Sequence, residues 1–500
     1  MKLQRVQVPD FRVLKNVDIS LEKDFVPNIF PLGSQNGGGK STLLQLIFVL
    51  LHCSGDSDKH EFIKNMLHGF EIDDDSQKRV LAKFDIWDGE KTVNLEFVVY
   101  KDSLAIKLLK SPIESSNSKL VGSDSNYFLF SAPEKLNKIN KEIEDKKLDF
   151  EDLSKIINRL EKISIIESAD ERELQLKNLE RGLRKLNIFQ FSVKRDLREK
   201  TIVRSIEELV LKKIDVCQIS IKKLTQEREG LEYAAPKILN YLHSNKTLYI
   251  CNYCTVKEKE EKENNEDKVL LCRVNELNIN ETKEFLSQIA QKIFIAAPTT
   301  QVFLFLAQKE IKQLFQRKNN YQLQTQTTKS KLKGFFTYDF FAINLLINIF
   351  KNARDKDFKQ AIETGEYGNN YQQLVNDLNQ ILLNKKININ PDLSGFTFKF
   401  DAEGHDIELY PEDLSHGELK RLSIYAWIKY NIIEDSIVLI DEIENGLHPD
   451  WQYQIIKDIA EWAPKNQYII ATHSYELCQV VTPAHVKELE PRLIKQESES

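Results

Sequence analysis

The chain has 500 residues, of which 41% are hydrophobic and 29% are charged, and its formal net charge is -6 at pH 7. This composition is typical of a globular protein long enough for more than one hydrophobic core. The net negative charge excludes a general electrostatic attraction to nucleic acid, so any such contact requires a local basic cluster. There is no apolar run of roughly 18 residues, no apolar N-terminal signal segment, and no cysteine spacing typical of a secreted disulfide framework. We therefore expect a cytoplasmic protein with no membrane segment and mostly reduced thiols.

A glycine-rich loop follows a short predicted strand. VPNIFPLG predicts a buried strand, STLLQLIFVLLHC predicts an apolar helix, and SQNGGGK lies between them. In this context the main-chain N–H groups of the loop wrap phosphate oxygens, and the helix directs its N-terminal dipole at them. We expect Lys40 to contact the β- and γ-phosphates of a nucleoside triphosphate, Ser41 to coordinate Mg²⁺, and Thr42 to contact the α-phosphate. The other predicted nucleotide-binding residues of the loop are Asn36, Gly37, Gly38 and Gly39.

The loop matches the phosphate-binding pattern G-x-x-x-x-G-K-[ST] imperfectly, because Ser34 stands where the first glycine is expected. The alternative is a glycine-rich turn that happens to precede a lysine. The strand before the loop and the helix after it favour phosphate binding. Taken alone, the loop predicts a nucleotide and no particular reaction.

The middle of the chain is rich in Lys, Glu, Leu and Ile from Glu134 to about Leu231, and it has no proline there, which predicts helix. Apolar residues recur at a seven-residue spacing in three groups. They are Leu136, Ile139, Ile143, Phe150, Leu153, Ile157 and Leu160; Leu176, Leu179, Leu183 and Leu186; and Val203, Val210, Cys217, Leu224 and Leu231. The repeat predicts a helical hairpin or a pair of short coiled arms. A compact helical subdomain is the alternative.

Two segments within the insertions are locally basic. Lys and Arg outnumber Asp and Glu between Arg181 and Arg204, and no acid lies between Ile311 and Lys333, where Tyr321 and many glutamines accompany the basic residues. Such clusters can contact phosphates, and polar or aromatic neighbours can add contacts to sugars and bases. A basic helix face is also commonly just solvated, so nucleic-acid contact stays an open alternative.

Two apolar segments around a charged loop, LYICNYCTVK and VLLCRV, predict a β-hairpin. Cys251 and Cys254 supply only half of a tetrahedral zinc site, for which Cys272 and His243 are the nearest further ligands. Cysteines on a strand can equally be buried thiols, and we favour that interpretation.

A predicted amphipathic helix begins within DLSHGELKRLSIYAWI, in the last fifth of the sequence. At its start, Ser415 and Gly417 are placed to offer a hydroxyl group and a main-chain N–H to an anion. The alternative is an ordinary helix N-terminus at which Ser415 and Glu418 form a capping box.

Two acids end the next predicted strand. In EDSIVLIDEIENGLHPD, Asp441 and Glu442 follow the apolar run from Ser436 to Ile440, and acids at the end of a buried strand are unfavourable unless a cation meets them. With Mg²⁺, Asp441 would hold the ion and Glu442 would polarise the attacking water. The alternative is a pair of acids that begin a surface loop. A further predicted strand, from Gln467 to Ala471, leads to His473 at the edge where open α/β sheets bind ligands.

Together these motifs resemble those of the ABC-type ATPases, in particular the soluble branch that includes the SMC, RecF and OLD-like proteins. The glycine loop, the LSGGQ-like sequence LSHGE, the strand ending in D-E and the histidine agree with this family in order and spacing. The resemblance implies an α/β fold, namely an ABC-type P-loop ATPase head with an inserted helical coiled-coil hairpin and a small β/helical insertion. It also implies ATP and Mg²⁺ as cofactors.

The same resemblance implies a role for each matching residue. The catalytic residues would be Lys40, Glu442 and His473; the metal ligands would be Ser41, Asp441 and Gln301; and the residues that close over ATP held by a second copy would be Ser415, Gly417 and Glu418. ATP would then bridge a homodimer or a higher homo-oligomer. Gln301 is nominated because this family carries a metal-reaching glutamine after a central strand, and QKIFIAAPTTQ has a strand, a break at Pro298 and then a glutamine. A polar turn residue is the simpler explanation of Gln301.

The motifs, the helical repeat and the resemblance together imply five segments. They are residues 1–131, an N-terminal lobe with the glycine loop; 132–232, the helical insertion; 247–305, the β-hairpin and a return strand; 306–390, a second helical insertion; and 391–500, a C-terminal lobe with LSHGE, the acids and the histidine.

Only a short segment follows His473, and the histidines form no nuclease pattern, so we expect no intrinsic nuclease. The layout of the insertions and the sequence FIAAPTTQ are most similar to the PtuA-type ATPases of the Septu and retron anti-phage defence systems. That similarity implies an ATPase that senses infection and restrains or activates an HNH nuclease partner of the PtuB type. In the retron version it implies a reverse transcriptase with its msDNA.

Two other functions remain open from the sequence. The first is a RecF-like DNA-repair ATPase that binds DNA directly, which the short helical arms and the net acidity disfavour. The second is a transport ATPase subunit bound to a membrane permease, which the helical insertion disfavours.

Overall fold

The computed structural model describes residues 1–34, 37–73, 75–102, 129–185, 200–253, 268–307, 310–311, 321–338, 343–382, 384–402 and 405–489. The chain divides into two compact units, one formed by Met1–Lys101 with Asn245–Ser500 and the other by Asp102–Ser244. The strands found in the described residues all lie in the first unit.

The strands of the first unit are, in chain order, β1 (Lys2–Phe11), β2 (Leu14–Ser20), β3 (Ile29–Gly33), β4 (Lys78–Trp87), β5 (Thr92–Lys101), β6 (Thr247–Tyr253), β7 (Lys268–Val274), β8 (Ile293–Ala297), β9 (Phe335–Thr337), β10 (Lys385–Ile389), β11 (Phe396–Ala402), β12 (His405–Leu409), β13 (Ile437–Asp441), β14 (Gln467–Thr472) and β15 (Lys487–Glu488).

The helices are α1 (Lys40–Cys53) and α2 (His60–Met66) in the first unit; α3 (Ala132–Ser164), α4 (Ala169–Lys185) and α5 (Lys200–Ser244) in the second; and then, in the first unit again, α6 (Ile279–Ala290), α7 (Tyr321–Lys331), α8 (Ile343–Thr364), α9 (Asn370–Ile381), α10 (His416–Tyr430), α11 (Pro449–Trp462) and α12 (Tyr475–Gln479).

A parallel sheet with the order β15-β3-β14-β13-β8-β9 forms the centre of the first unit. Its inner strands have nearly continuous apolar sequences, IFPLG in β3, IVLID in β13 and QYIIAT in β14, and almost every residue in them is buried. A parallel strand is covered on both faces, so it carries apolar side chains in both directions instead of alternating with polar ones. The strands predicted at these three positions are confirmed.

Alternate residues of β13 enter two different cores. Ile437 and Leu439 pack in the core that contains α1 and strands of an antiparallel sheet with the order β2-β1-β4-β5-β7-β6. Val438 and Ile440 pack on the opposite face, in the core that contains α10 and α11. Helix α1 is thus enclosed by sheet residues, which explains why its sequence is apolar on all sides.

The hairpin predicted around the charged loop is confirmed, because β6 pairs antiparallel with β7 at the edge of the antiparallel sheet. Cys251 and Cys272 are free cysteines and are 2% and 0% exposed. Burial raises the pKa of Cys251 to about 12. These two thiols are therefore core residues, while Cys254 lies outside the described residues.

A third, smaller sheet with the order β10-β11-β12 shares a core with α8, α9 and α10. The segment 306–390, predicted to be a helical insertion, contains α7, α8 and α9. It also contains β9, a strand of 3 residues that pairs with β8 at the edge of the central sheet, and the whole of β10. The segment therefore contributes to the central sheet as well as carrying helices.

The second unit is helical, and the predicted helical insertion is confirmed. One hydrophobic core joins its helices, with buried residues such as Leu153 and Leu160 from α3, Leu179 from α4, and Val203 and Val210 from α5. These residues belong to the predicted seven-residue repeats, because a seven-residue spacing returns an apolar side chain to the same helix face. Helix α4 shares the core of α3 and α5, so the unit combines a pair of long helices with a third, shorter one.

None of the helices in the part of the chain that the structure describes combines the length and the apolar character that a membrane crossing requires.

Candidate nucleotide site

The candidate site lies where four neighbouring strands of the central sheet end. The carboxyl ends of β3, β14, β13 and β8 lie at the same edge because the strands are parallel and adjacent. Open α/β sheets bind ligands at this edge. The glycine loop follows β3, His473 follows β14, Asp441 ends β13, and Gln301 comes shortly after β8.

The glycine loop needs glycine for its backbone and for its close contact with the β1–β2 turn. Gly37 and Gly39 have φ angles of 81° and 85°, in the left-handed region that favours glycine. A Cβ atom at Gly39 would lie 2.7 Å from Leu14 Cδ2 and 2.8 Å from Val13 Cγ2, so a larger residue does not fit there. Gly38 is buried. Asn36, the other predicted residue of this loop, lies outside the described residues.

Lys40, the first residue of α1, turns its ammonium group into the site. Its Nζ atom lies 3.1 Å from both the main-chain oxygen and the Oγ of Ser34, and 3.0 Å from Nε2 and 3.3 Å from Nδ1 of His473. An ammonium group can only donate hydrogen bonds, so the ring nitrogen that it contacts accepts one. Lys40 is 5% exposed, and burial lowers its pKa, against the negative charges of the nearby acids. Lys40 thus joins the loop after β3 to the loop after β14.

Ser41 and Asp441 provide a pair of oxygen atoms beside Lys40. The Ser41 hydroxyl donates to Asp441 Oδ1 at 3.1 Å. Asp441 is 2% exposed, and burial raises its pKa to about 7, against the hydrogen bond from Ser41. The hydroxyl of Tyr338, just after β9, donates to the main-chain oxygen of Asp441. Thr42 is half-buried at the next position of α1.

Glu442 differs from Asp441 in backbone conformation and in burial. Its φ of 52° lies in the left-handed region, which is uncommon for a residue with a side chain. Its main-chain N–H still donates to the oxygen of Ala471 in β14 at 2.9 Å, and its Oε2 accepts from the Asn445 side chain at 2.7 Å. Unlike Asp441, the Glu442 side chain is only half-buried, which leaves its carboxylate accessible.

Glu444 is a site residue that the sequence interpretation missed. It is 8% exposed, its Oε1 accepts the main-chain N–H of His473 at 2.6 Å, and its Oε2 is buried without a hydrogen-bond partner among the described residues. One signal was available: Glu444 follows Ile443, and an apolar residue flanked by acids just after a buried strand indicates a loop that folds back into the protein.

Ser415, Gly417 and Glu418 lie together at the start of α10. Ser415 and Glu418 form a capping box, and Lys385 donates to both oxygens of Glu418, at 2.7 and 2.9 Å. Burial raises the pKa of Glu418, but the hydrogen bonds from Lys385 and Ser415 outweigh this and lower it overall. Gly417 packs against Trp451, whose Cε3 would lie 3.3 Å from an added Cβ.

The contacts described for these three residues are thus with β10, with Leu447 and with Trp451 in the first turn of α11, and none is with Lys40, Ser41 or Asp441. Ser415 itself is exposed. Hydrogen bonds to the loop from Glu442 to Leu447, called the acidic loop below, come from Lys420, one turn further along α10. Its ammonium group donates to the main-chain oxygens of Ile443, at 3.2 Å, and Asn445.

Gln301 lies in a 3-10 helix, Thr299–Phe305, that follows β8. Its main-chain N–H donates to Pro298 at 2.9 Å, and its side chain is half-buried. No hydrogen bond described for the chain joins its side chain to the acids. Its position after the strand next to β13 is the position for which it was nominated.

The side chains fit a nucleoside triphosphate accompanied by Mg²⁺. The half-buried Ser41 hydroxyl, the buried Asp441 carboxylate, the Glu444 oxygen without a partner among the described residues, and the Lys40 ammonium provide the kinds of donors and acceptors that such a ligand needs. Within the described residues, no group of three or more His, Cys, Asp or Glu is arranged to hold a metal ion. Mg²⁺ in phosphate sites is held by one or two carboxylates together with phosphates and water, so this donor set suits a metal that arrives with a phosphate.

The arrangement is α/β with a helical insertion, and it is the one expected for an ABC-type P-loop ATPase head. A phosphate-loop strand, a strand ending in a buried acid and a strand ending before a histidine lie side by side, and the LSHGE sequence begins a helix on one face of the sheet.

Part of the chain matches a known family model. Residues 272–479 match the family model described as "AAA domain, putative AbiEii toxin, Type IV TA system". The matched region contains Ser415, Asp441, Glu442 and His473, and it begins after the glycine loop.

Two curated relatives carry names that mention retrons. The retron Vc95 probable ATPase of Vibrio cholerae serotype O1 biovar El Tor is 28% identical over 159 residues, which is 28% of this chain and 27% of that protein. The retron Ec83 probable ATPase of Escherichia coli is 40% identical over 50 residues, which is 10% of this chain and 9% of that protein. The matches thus span well under half of the length of either relative.

Two solved structures of Smc head domains also align with the chain. The first, from Pyrococcus furiosus with ScpA bound, is 12% identical, with 96% of this chain and 91% of that chain covered. The second, from Pyrococcus yayanosii, is 13% identical, with 96% and 93% covered. Both have a TM-score of 0.29, which is too low to support a conclusion about this chain.

Proposed function

We propose that the chain is an ATP-binding and ATP-hydrolysing subunit of an anti-phage defence complex, acting in the cytoplasm. The observation that carries the proposal is the cluster formed by Lys40, Ser41, Asp441, Glu444 and His473 at the ends of adjacent parallel strands. These residues come from segments far apart in the sequence, and they provide a buried cation, buried acids and a glycine loop at one edge of the sheet. That combination suits phosphoryl transfer, which depends on positioning and electrostatic stabilisation.

Each residue has a proposed role in that reaction. Lys40 binds the β- and γ-phosphates, Ser41 and Asp441 hold Mg²⁺, and Glu442 accepts a proton from the attacking water. His473 lies beside Lys40 and contacts the γ-phosphate. Mg²⁺, when bound, neutralises charge that develops on the phosphate oxygens. We also propose that Gln301 is a further metal ligand. The main-chain N–H groups of the glycine loop are proposed to contact the phosphates.

We propose that Ser415, Gly417 and Glu418 act on ATP held by a second copy of the chain. Support comes from their position, since Ser415 is exposed at the N-terminus of α10, while their described contacts are not with the chain's own Lys40 or Ser41. A helix N-terminus favours an anion. ATP would then bridge a homodimer, or a higher homo-oligomer.

The partners are proposed on the basis of the retron-associated relatives and the resemblance to PtuA-type ATPases. The chain would sense infection and restrain or activate an HNH nuclease of the PtuB type, together with a retron reverse transcriptase and its msDNA. We propose no nuclease activity for the chain itself. The five predicted sequence segments also stay a proposal about its organisation.

ATP turnover by the purified chain tests the proposed activity. We expect Lys40→Ala to lower turnover about 100-fold or more, because the buried ammonium that contacts the phosphates is lost. The matched control is Lys283→Ala, which removes an exposed lysine of α6. Phosphate release at saturating ATP and Mg²⁺ is the measurement. Equal turnover by the Lys40→Ala and Lys283→Ala proteins would refute the proposed site.

A further inference from the structure

Glu444 has two carboxylate oxygens in different surroundings. Oε1 accepts the main-chain N–H of His473 at 2.6 Å. Oε2 is buried and has no hydrogen-bond partner among the described residues. The two neighbouring acids differ in this respect, since neither Asp441 nor Glu442 has a buried side-chain oxygen without a partner among the described residues. Glu444 therefore offers an acceptor that the described part of the protein does not use.

An unused buried oxygen of this kind requires an explanation. Leaving a buried polar atom unpaired costs about 1–3 kcal/mol, and more when the group is charged. Buried polar atoms therefore generally have a partner, which is often an ordered water molecule. Holding the main chain at His473 needs only one oxygen, and an amide would serve that purpose. The second oxygen of Glu444 indicates that a further group enters the site and donates to it.

The position of Glu444 indicates what that group is. Glu444 lies in the loop after Asp441, and it holds the main chain of His473, whose ring contacts Lys40. Among the described residues, the acids are not grouped closely enough to coordinate a metal ion by themselves. Mg²⁺ bound to phosphates usually keeps several water ligands, and those waters donate to nearby carboxylates. Carboxylates that hydrogen-bond to the direct ligands of a metal ion orient those ligands and strengthen metal binding.

We propose that Glu444 is a positioning residue of the ATPase site: one oxygen fixes the main chain at His473, and the other accepts a hydrogen bond from a water molecule bound to the Mg²⁺ of Mg·ATP. The inference rests on the proposed function, because it needs a metal–nucleotide complex at Asp441. It assigns to Glu444 a role in metal affinity that is separate from the proton acceptance proposed for Glu442.

Replacing Glu444 by Gln separates this role from a structural one. The amide oxygen of Gln can still accept the His473 N–H, so the fold and the thermal melting temperature without ligand should match those of the wild type. The negative charge that attracts the metal-bound water is lost. We expect the Mg²⁺ concentration that half-saturates binding of a fluorescent, non-hydrolysable ATP analogue to rise about tenfold.

The measurement is a Mg²⁺ titration with the fluorescent analogue, with Glu434→Gln as the matched control. Glu434 is exposed and lies just before the opposite end of β13. A half-saturating Mg²⁺ concentration for Glu444→Gln that equals the wild-type value would overturn the inference and leave Glu444 a purely structural residue. If the wild type itself shows no Mg²⁺-dependent binding of the analogue, then the proposed function fails and not only the role of Glu444.

A second substitution keeps the inference testable if the Gln variant does not fold. Glu444→Asp retains the charge but is shorter by one methylene group, so it should weaken the contact with His473 more than it weakens metal binding. We expect its half-saturating Mg²⁺ concentration to lie between those of the wild type and Glu444→Ala. If the Asp and Ala variants raised the half-saturating Mg²⁺ concentration equally, the negative charge of residue 444 would be irrelevant to metal binding. That result would overturn the inference.

Discussion

The adjacent acids Asp441 and Glu442 differ in burial, and the backbone turns sharply at the second of them. Asp441 is the last residue of a buried strand, and burial raises its pKa to about 7 in spite of the hydrogen bond from Ser41. Glu442 has a φ of 52°, which turns the chain and leaves its carboxylate half-buried beside Asn445. A general base must reach a water molecule, so of the two acids Glu442 is better placed for that role and Asp441 for holding a metal.

Glu442→Gln should lower ATP turnover about 10²- to 10⁴-fold while nucleotide binding persists, because the amide cannot accept a proton from water. The amide oxygen can still accept the hydrogen bond from Asn445, so the loop should keep its shape. Turnover and binding of a fluorescent ATP analogue are to be measured on the same preparation, with Glu434→Gln as the control. Unchanged turnover would remove Glu442 from the role of base.

The sequence alone predicted Lys40, Ser41, Asp441, Glu442 and His473 as site residues because each belongs to a local motif. Glu444 belongs to no motif. Its role depends on a hydrogen bond to a residue 29 positions away, which exists only after β13 and β14 have paired. Spacing within a motif is visible in a sequence, whereas the meeting of two loops is set by the pairing of their strands.

The corner between α8 and α9 is held by one buried carboxylate. Asp357 of α8 is 7% exposed, and it accepts the main-chain N–H groups of Asn370 and Tyr371, each at 2.8 Å, and the Asn370 side chain at 2.7 Å. Asp357 thus caps the N-terminus of α9 from a neighbouring helix. Burial raises the pKa of Asp357, but the hydrogen bonds from Tyr371 and Asn370 outweigh it and lower the pKa below the ordinary 3.8.

Asp357→Asn should lower the free energy of unfolding by about 1–3 kcal/mol at neutral pH, because hydrogen bonds to a charged acceptor are lost. A lowered pKa in the folded state means that the carboxylate stabilises the protein above its unfolded pKa and loses that effect as the pH falls through the folded value. The difference from the wild type should therefore be constant from pH 7 to pH 5 and shrink below about pH 4. Urea unfolding at several pH values measures it.

The control for this substitution is Asp355→Asn on the same helix. Asp355 is exposed, and in the part of the chain that the structure describes it pairs with the exposed Arg354 alone; surface pairs of this kind contribute at most about 1 kcal/mol. Equal losses of stability in the two variants would contradict the capping role of Asp357.

Long apolar runs made the inner strands predictable from the sequence, whereas the short strand β9 could not be predicted in this way. FFT in β9 is a strand of 3 residues between helical segments, too short for a periodic pattern. It becomes a strand because β8 offers an unpaired edge, to which it adds in parallel. The pairing of β9 with β8 matters for the site, because the hydroxyl of Tyr338, just after β9, donates to the main-chain oxygen of Asp441. Residues of the inserted segment therefore contact the acidic loop directly.

Within the first unit, α10 connects distant parts of the protein. Ile424 and Trp427 enter the core beside the central sheet, while Leu422 and Tyr425 enter the core of the small third sheet. Lys420 on the same helix donates to the main chain of the acidic loop. Lys420 thus joins α10, which begins within the LSHGE sequence, to the loop that carries Glu442 and Glu444.

The proposed action of Ser415 on ATP held by a second copy of the chain, its trans role, allows a test of the ATP-bridged dimer. Ser415→Arg places a bulky cation at the exposed N-terminus of α10, so it should abolish turnover while leaving binding of a fluorescent ATP analogue to the single chain unchanged. Ser415→Ala is the control for folding and nucleotide binding only, since it removes the same helix cap, at a cost of about 1 kcal/mol, without adding bulk, and it also removes the hydroxyl proposed to act on ATP. Loss of nucleotide binding by Ser415→Arg would contradict the trans assignment.

Mixing two inactive variants distinguishes a site built by two copies from a site within one copy. A Ser415→Arg chain keeps its own Lys40, and a Lys40→Ala chain keeps its own Ser415, so a mixed dimer contains one intact composite site. Turnover should therefore return on mixing, to at most about half of the wild-type value if mixed dimers predominate, because one of the two sites in each mixed dimer remains defective. No recovery, with mixed dimers demonstrated by a tag on one variant, would mean that Ser415 serves the nucleotide of its own chain and that ATP does not bridge the copies in the proposed way.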